Sequence, residues 1–220
     1  MALTVWALAA VGAGALGWLG PFVIRRLPES PDAEPDAPSY PAVAAVPRLS
    51  VWLAAGAIAL VTIVWIAVPG HLLPAWVALC GVGTWLFYID WRMQLLPTRL
   101  IGPLYVVMLV LAVAEAWGAG DWGILVRAVV ASAVAYAVFW VFWWVSGVWR
   151  PGSFGFGDVR FSAPLGLALG SVGVGAAVVG LYLGILIGGV AGLVLKSRGR
   201  RHGLALGPWM LLGAVLGPFA

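Results

Sequence analysis

FSAPLGLALGSVGVGAAVVGLYLGILIGGVAGLVL, residues 161–195, runs for 35 residues without one charged side chain. A membrane-spanning helix needs about 20 apolar residues, so this stretch is too long for one span and short for two. The cluster Gly170-Ser171-Val172-Gly173 is the natural break, because glycine weakens helix propagation. The spacing therefore predicts two helices, at about 159–171 and 174–195. Working outward, apolar segments recur at about 3–24, 51–68, 72–90, 100–117, 123–149 and 204–219. The segment at 159–171 is short for a full span and crosses only where the bilayer thins or neighbours shield it. The whole chain of 220 residues is 63% hydrophobic and 9% charged, which excludes a soluble domain. The apolar runs are continuous rather than alternating, which favours helices over a barrel. The expected fold is all-α: a polytopic membrane protein with about eight transmembrane helices, forming a single domain over 1–220.

Charge orders these segments. Of the 12 Lys and Arg, all but Arg127 fall on one side of the bilayer if the N-terminus lies outside. The connections 69–71 and 118–121 on the other side carry no Lys or Arg. Basic residues mark cytoplasmic loops, so the expected orientation is N-terminus outside. The opening Met1-Ala2-Leu3-Thr4 lacks a basic leader, and Arg25-Arg26 follow the first apolar run, so an uncleaved first helix is expected. The net charge of +4 is explained by topology, and no nucleic-acid partner is expected.

Between the spans, the sizeable polar segment is the proline- and acid-rich stretch 28–47, inside a short loop at 26–50. It is too short and polar to build a core, so extended or disordered chain is expected, serving as a linker or as a contact for a basic peptide. Gly180, Gly184, Gly188 and Gly192 recur at four-residue steps on one helix face. Such a stripe admits close helix approach, within the chain or in a homodimer. Trp91, Trp117, Trp122 and Trp149 fall at span ends, where indole is comfortable. The single cysteine, Cys80, and the two histidines, His71 and His202, read as packing and loop residues without metal spacing.

Two carboxylates stand at the margins of apolar segments: Asp90, and Asp158 in Gly155-Phe156-Gly157-Asp158. A carboxylate in hydrocarbon costs about 2.5–3.5 kcal/mol at a helix centre and less near the ends, so retained ones point to use. Helix capping alone would explain Asp158, and a salt bridge to Arg92 or Arg99 would explain Asp90. The glycines at 155 and 157 add tolerance of a closely approaching backbone, which capping does not need. In the orientation above, both acids lie on the cytoplasmic side. Two acids at one site can activate water, as in aspartic proteases.

The segment Tyr88-Ile89-Asp90-Trp91-Arg92-Met93-Gln94-Leu95-Leu96-Pro97, taken with Gly155-Phe156-Gly157-Asp158-Val159-Arg160-Phe161, resembles the two active-site motifs of prepilin peptidases. These are type IV leader peptidases, membrane aspartic proteases of the Gly-x-Gly-Asp type. Arg26-Leu27-Pro28 resembles the family's Arg-Leu-Pro after the first helix, and Leu206-Gly207-Pro208-Trp209 its late Phe-Gly-Pro-Phe segment. Thr98 departs from the Asp or Asn that usually follows the proline. The first loop lacks the two Cys-x-x-Cys pairs that many relatives carry as a zinc site, so four zinc ligands are missing there.

The resemblance implies an aspartic endopeptidase of the bacterial plasma membrane, without cofactor or metal, that serves type IV pili or type II secretion. It implies cleavage of class III signal peptides from prepilin or pseudopilin precursors, after a glycine at the cytoplasmic face, with N-methyltransferase activity not expected. Asp90 and Asp158 are the implied catalytic pair. Gly155, Phe156, Gly157, Pro97, Gly207 and Pro208 are the implied active-site or substrate-binding residues. Helix-end dipoles suggest Asp158 as base and Asp90 as acid. Alternatives are a related protease acting on preflagellins or other signal peptides, a small transporter using Asp90 and Asp158 as ion-pathway carboxylates, and an inactive assembly protein.

Overall fold

The computed structural model describes residues 2–29, 37–149, 154–197 and 205–220. Among them the regular structure is helical throughout. The long helices are α1 (Ala2–Ile24), α3 (Leu49–Ala67), α4 (Leu73–Met93), α5 (Thr98–Ala119), α6 (Trp122–Trp149) and α8 (Val174–Ser197). A five-residue helix, α2 (Tyr40–Ala44), precedes α3; α7 (Phe156–Val172) and α9 (Gly207–Leu216) are shorter and apolar. Among the described residues six spans are long and apolar enough to cross a membrane: α1, α3, α4 with the 3₁₀ turn before it, α5, α6 and α8. The chain is thus a multi-pass membrane protein. The other two apolar segments expected as crossings, α7 with 17 residues and α9 with 10, fall short of a full span by length.

The break in the opening stretch falls where glycine puts it: α7 ends at Val172, Gly173 is extended, and α8 begins at Val174. Elsewhere the helices outrun the apolar segments. α4 continues to Met93 rather than stopping at Asp90, and α7 begins at Phe156 rather than after Asp158. The apolar runs end at the carboxylates, but backbone hydrogen bonding is indifferent to a polar side chain and carries each helix a turn further. α4 ends instead at Gln94, whose backbone is left-handed (φ 54°) while its N–H still reaches Asp90 O at 2.8 Å.

α4 is the central helix, with 72% of its most apolar window buried against 17–39% for the other five spans. Its far end is held by Glu115 of α5, a buried carboxylate that accepts the Ala75 N–H at 3.4 Å in place of a side-chain cap. Around α4, helices meet through glycine. A Cβ on Gly170 would come within 2.6 Å of Arg127 O, so α6 and α7 touch backbone to backbone. The glycine stripe of α8 works the same way. Gly180, Gly184 and Gly188 lie against α9 and its flanks, and a Cβ on Gly213 would fall 2.3 Å from Gly184 N. This face is therefore occupied within the chain along those three glycines.

The segment after α1 is more ordered than its composition suggests. Residues 30–36 lie outside the description, but Ser39 caps α2, and Tyr40, Val43 and Ala44 are buried. The expectation of extended or disordered chain is corrected there. Polarity averaged over 28–47 hid an apolar anchor, and the Tyr88 hydroxyl of α4 fastens it by donating to Val43 O at 2.9 Å. Arg127 of α6 pairs with Asp121 at 3.8 Å in an exposed contact of small energy.

Candidate active site

Asp90 stands on the last turn of α4 and Asp158 on the first turn of α7. Both are buried, with 4% and 8% of their surface exposed, and both line one cavity of about 720 Å³. Residues 68 positions apart are thus brought to one chamber by two helix ends that point into it.

The two carboxyls have different partners. Asp90 Oδ2 accepts the backbone N–H of Gly207 at 2.9 Å. The salt bridge to Arg92 or Arg99 that would have made Asp90 structural is not formed; among the described residues the ion pair is Arg127–Asp121. Asp158 is not the helix cap either. Gly155 occupies the cap position, and Asp158 sits three residues into the helix with Oδ1 buried and without a hydrogen-bond partner among the described residues. A buried oxygen left open in this way is costly in a purely structural role.

The glycines of the motif have separate tasks. A Cβ on Gly157 would come to 2.7 Å from Leu96 Cβ, so only glycine lets the start of α7 lie against the loop that follows Asp90. A Cβ on Gly155 would meet Asp158 Oδ2 at 3.2 Å, a tight but lesser intrusion at the mouth. Phe156 turns its ring to Trp143 at 5.0 Å between centroids. Pro97 ends the Gln94–Pro97 loop and lines the cavity together with Gly155, Phe156 and Gly157.

Gly207 joins the site by its backbone alone, and a Cβ there would stand 2.8 Å from Asp90 Oδ2. Pro208 is buried in the first turn of α9, where a missing N–H costs nothing, and does not line the cavity. Leu27 and Pro28 reach the chamber from the end of α1. The four resembling segments, dispersed over the chain, therefore meet around Asp90 and Asp158. Of the other residues singled out, Cys80 is fully buried in α4, His71 lies in the 3₁₀ turn Gly70–Leu72, and His202 falls outside the described residues.

Two lining residues, Tyr40 and Glu29, were not legible as such. Tyr40 forms part of the wall, and its N–H donates to Glu29 Oε1 at 3.2 Å. Burial first and the Glu29 charge second push its hydroxyl above the usual tyrosine range. An aromatic among prolines was the available signal. Glu29 lies at the exposed rim. Arg160 leans over the Phe156 ring, 4.6 Å from its centroid, and donates to Thr98 Oγ1.

The model of the type IV leader peptidase family matches residues 77–195, which takes in α4 to α8 and both aspartates. No curated protein and no solved structure matches the chain.

Proposed function

The chain belongs to the type IV leader peptidase family, and from that premise we propose that it is an aspartic endopeptidase of the bacterial plasma membrane. Its substrates are prepilin-like precursors of a pilus or secretion apparatus, cut after a glycine that precedes their apolar helix. The observation that carries this reading is the meeting of Asp90 and Asp158 in one cavity. The basic residues around this end of the bundle support placing it on the cytoplasmic side, with the N-terminus outside and α7 and α9 completing the set of membrane-embedded helices.

Two carboxyls brought together in one buried chamber share a proton more readily than both ionise. Their partners argue for a division of labour opposite to the one that helix dipoles suggest. A helix dipole contributes about 0.3–1 kcal/mol, whereas a hydrogen bond to a charged group contributes about 1.5–3 kcal/mol. The Gly207 N–H makes Asp90 the better carboxylate. Asp90 takes a proton from the attacking water. Asp158, with Oδ1 uncommitted, donates to the scissile carbonyl oxygen. The tetrahedral intermediate collapses as a proton passes to the leaving amine. Every step in this scheme uses groups of this chain and water.

The test is incubation of the purified protein, in detergent or vesicles, with S-adenosylmethionine and a panel of pilin-like precursors, followed by mass determination of the new N-terminus. Cleavage on the carboxyl side of glycine, with no added methyl group, is expected. Absence of cleavage across the panel overturns the reading, and a methylated product overturns the peptidase-only assignment.

A further inference from the structure

The loop after Asp90 is held in an unfavourable shape. Gln94 adopts a left-handed backbone (φ 54°), which a non-glycine residue keeps only where its surroundings impose it. The loop meets α7 at two points. One is the glycine contact, Gly157 against Leu96. The other is a side-chain bridge: Arg160 Nη1 donates to Thr98 Oγ1 at the start of α5 while the guanidinium lies over the Phe156 ring. Phe156 is in turn braced by Trp143 of α6. The bridge therefore joins the two halves of the site, since Thr98 follows the Asp90 loop and Arg160 lies two residues beyond Asp158.

We infer that Arg160 and Thr98 form a latch, with Arg160 a positioning residue that holds the Asp158 end of α7 against the loop carrying on from Asp90. Arg160 is exposed and touches neither aspartate through a recorded bond. It acts by fixing where the two helix ends stand. Its planar guanidinium can donate and stack at once, which suits it to both contacts. The catalytic consequence rests on the proposed peptidase reading; the latch itself does not.

The experiment reads both levels. Leu96, in the loop, is replaced by cysteine, and its reaction with a membrane-impermeant maleimide is timed; the native Cys80 is fully buried and gives little background. Thr98→Val and Arg160→Gln are each expected to speed labelling several-fold, the pair together no more than either alone, as residues of one bridge require; Arg160→Lys is expected to fall between the parent and Arg160→Gln, because an ammonium can donate to Thr98 but cannot stack as a plane on Phe156. On a cleaved precursor, Thr98→Val and Arg160→Gln are expected to lower kcat on the order of 10-fold with KM within about twofold, because misplacement of reacting groups acts on the chemical step. Labelling rates unchanged in both variants, or effects that multiply in the double variant, overturn the latch. Labelling that shifts as described in a protein that cleaves no precursor upholds the latch and refutes the peptidase reading.

Discussion

The backbone N–H of Gly207 donates to the Oδ2 of Asp90 at 2.9 Å, across 117 residues of chain. This bond ties the last helix to the end of the central one. It also explains why glycine stands at 207: any Cβ would occupy the space of the carboxylate. Gly207→Ala is expected to destabilise the protein by about 1–3 kcal/mol, the usual range for forcing an atom into a packed site. It should cost at least about tenfold in precursor cleavage, since Asp90 must move. Thermal unfolding in detergent and initial cleavage rates check this, and parental values of both would refute the role given to Gly207.

Asp90→Asn and Asp158→Asn remove a proton donor or acceptor while keeping the shape of the side chain. Each is expected to lower cleavage by at least about 10²–10⁴-fold, the usual contribution of a positioned acid or base, with the protein still folded. Asp158→Asn should leave the unfolding temperature unchanged or higher, because its carboxyl has an uncommitted buried oxygen. Mass spectrometry of the precursor gives the first readout and thermal unfolding the second. Processing that persists in either variant removes the catalytic pair.

The two motif glycines separate by distance. Gly157→Ala meets Leu96 Cβ at 2.7 Å, whereas Gly155→Ala meets a carboxylate oxygen at 3.2 Å that a small rotation relieves. Gly157→Ala is expected to be the more damaging by about tenfold or more in kcat, in keeping with the cost of displacing reacting groups. Equal rates in the two variants would show that the contact with Leu96 does not set the position of α7.

The glycine stripe offers a test of packing that is independent of activity. Gly213→Ala places a Cβ 2.3 Å from Gly184 N and is expected to destabilise by about 1–3 kcal/mol. Gly189→Ala meets nothing within 4 Å and should be neutral, or stabilising by up to about 1 kcal/mol through helix propensity. Detergent-solubilised unfolding curves compare them. A Gly213→Ala variant as stable as its parent would mean that α8 and α9 are not packed as described.

The sequence by itself determined the membrane class, the helical architecture and a break within Gly170–Gly173, and it singled out two acids that prove to line one cavity. These rest on local quantities: run length, glycine position, and the cost of a charge beside hydrocarbon. It misjudged where α4 and α7 end, because apolarity marks the edge of the oily region while backbone hydrogen bonds mark the edge of the helix. It also passed over Tyr40, which is buried within a polar segment because α2 packs against α1 and the Tyr88 hydroxyl of α4 holds Val43, contacts that its own neighbours in sequence do not announce. Only the tertiary structure decided that Asp90 takes its partner from Gly207, that Gly157 exists for Leu96, and that Arg160 reaches Thr98. Each is a contact between segments distant in the chain, and the directions in which helix ends point are set by how whole helices pack, which no local pattern encodes.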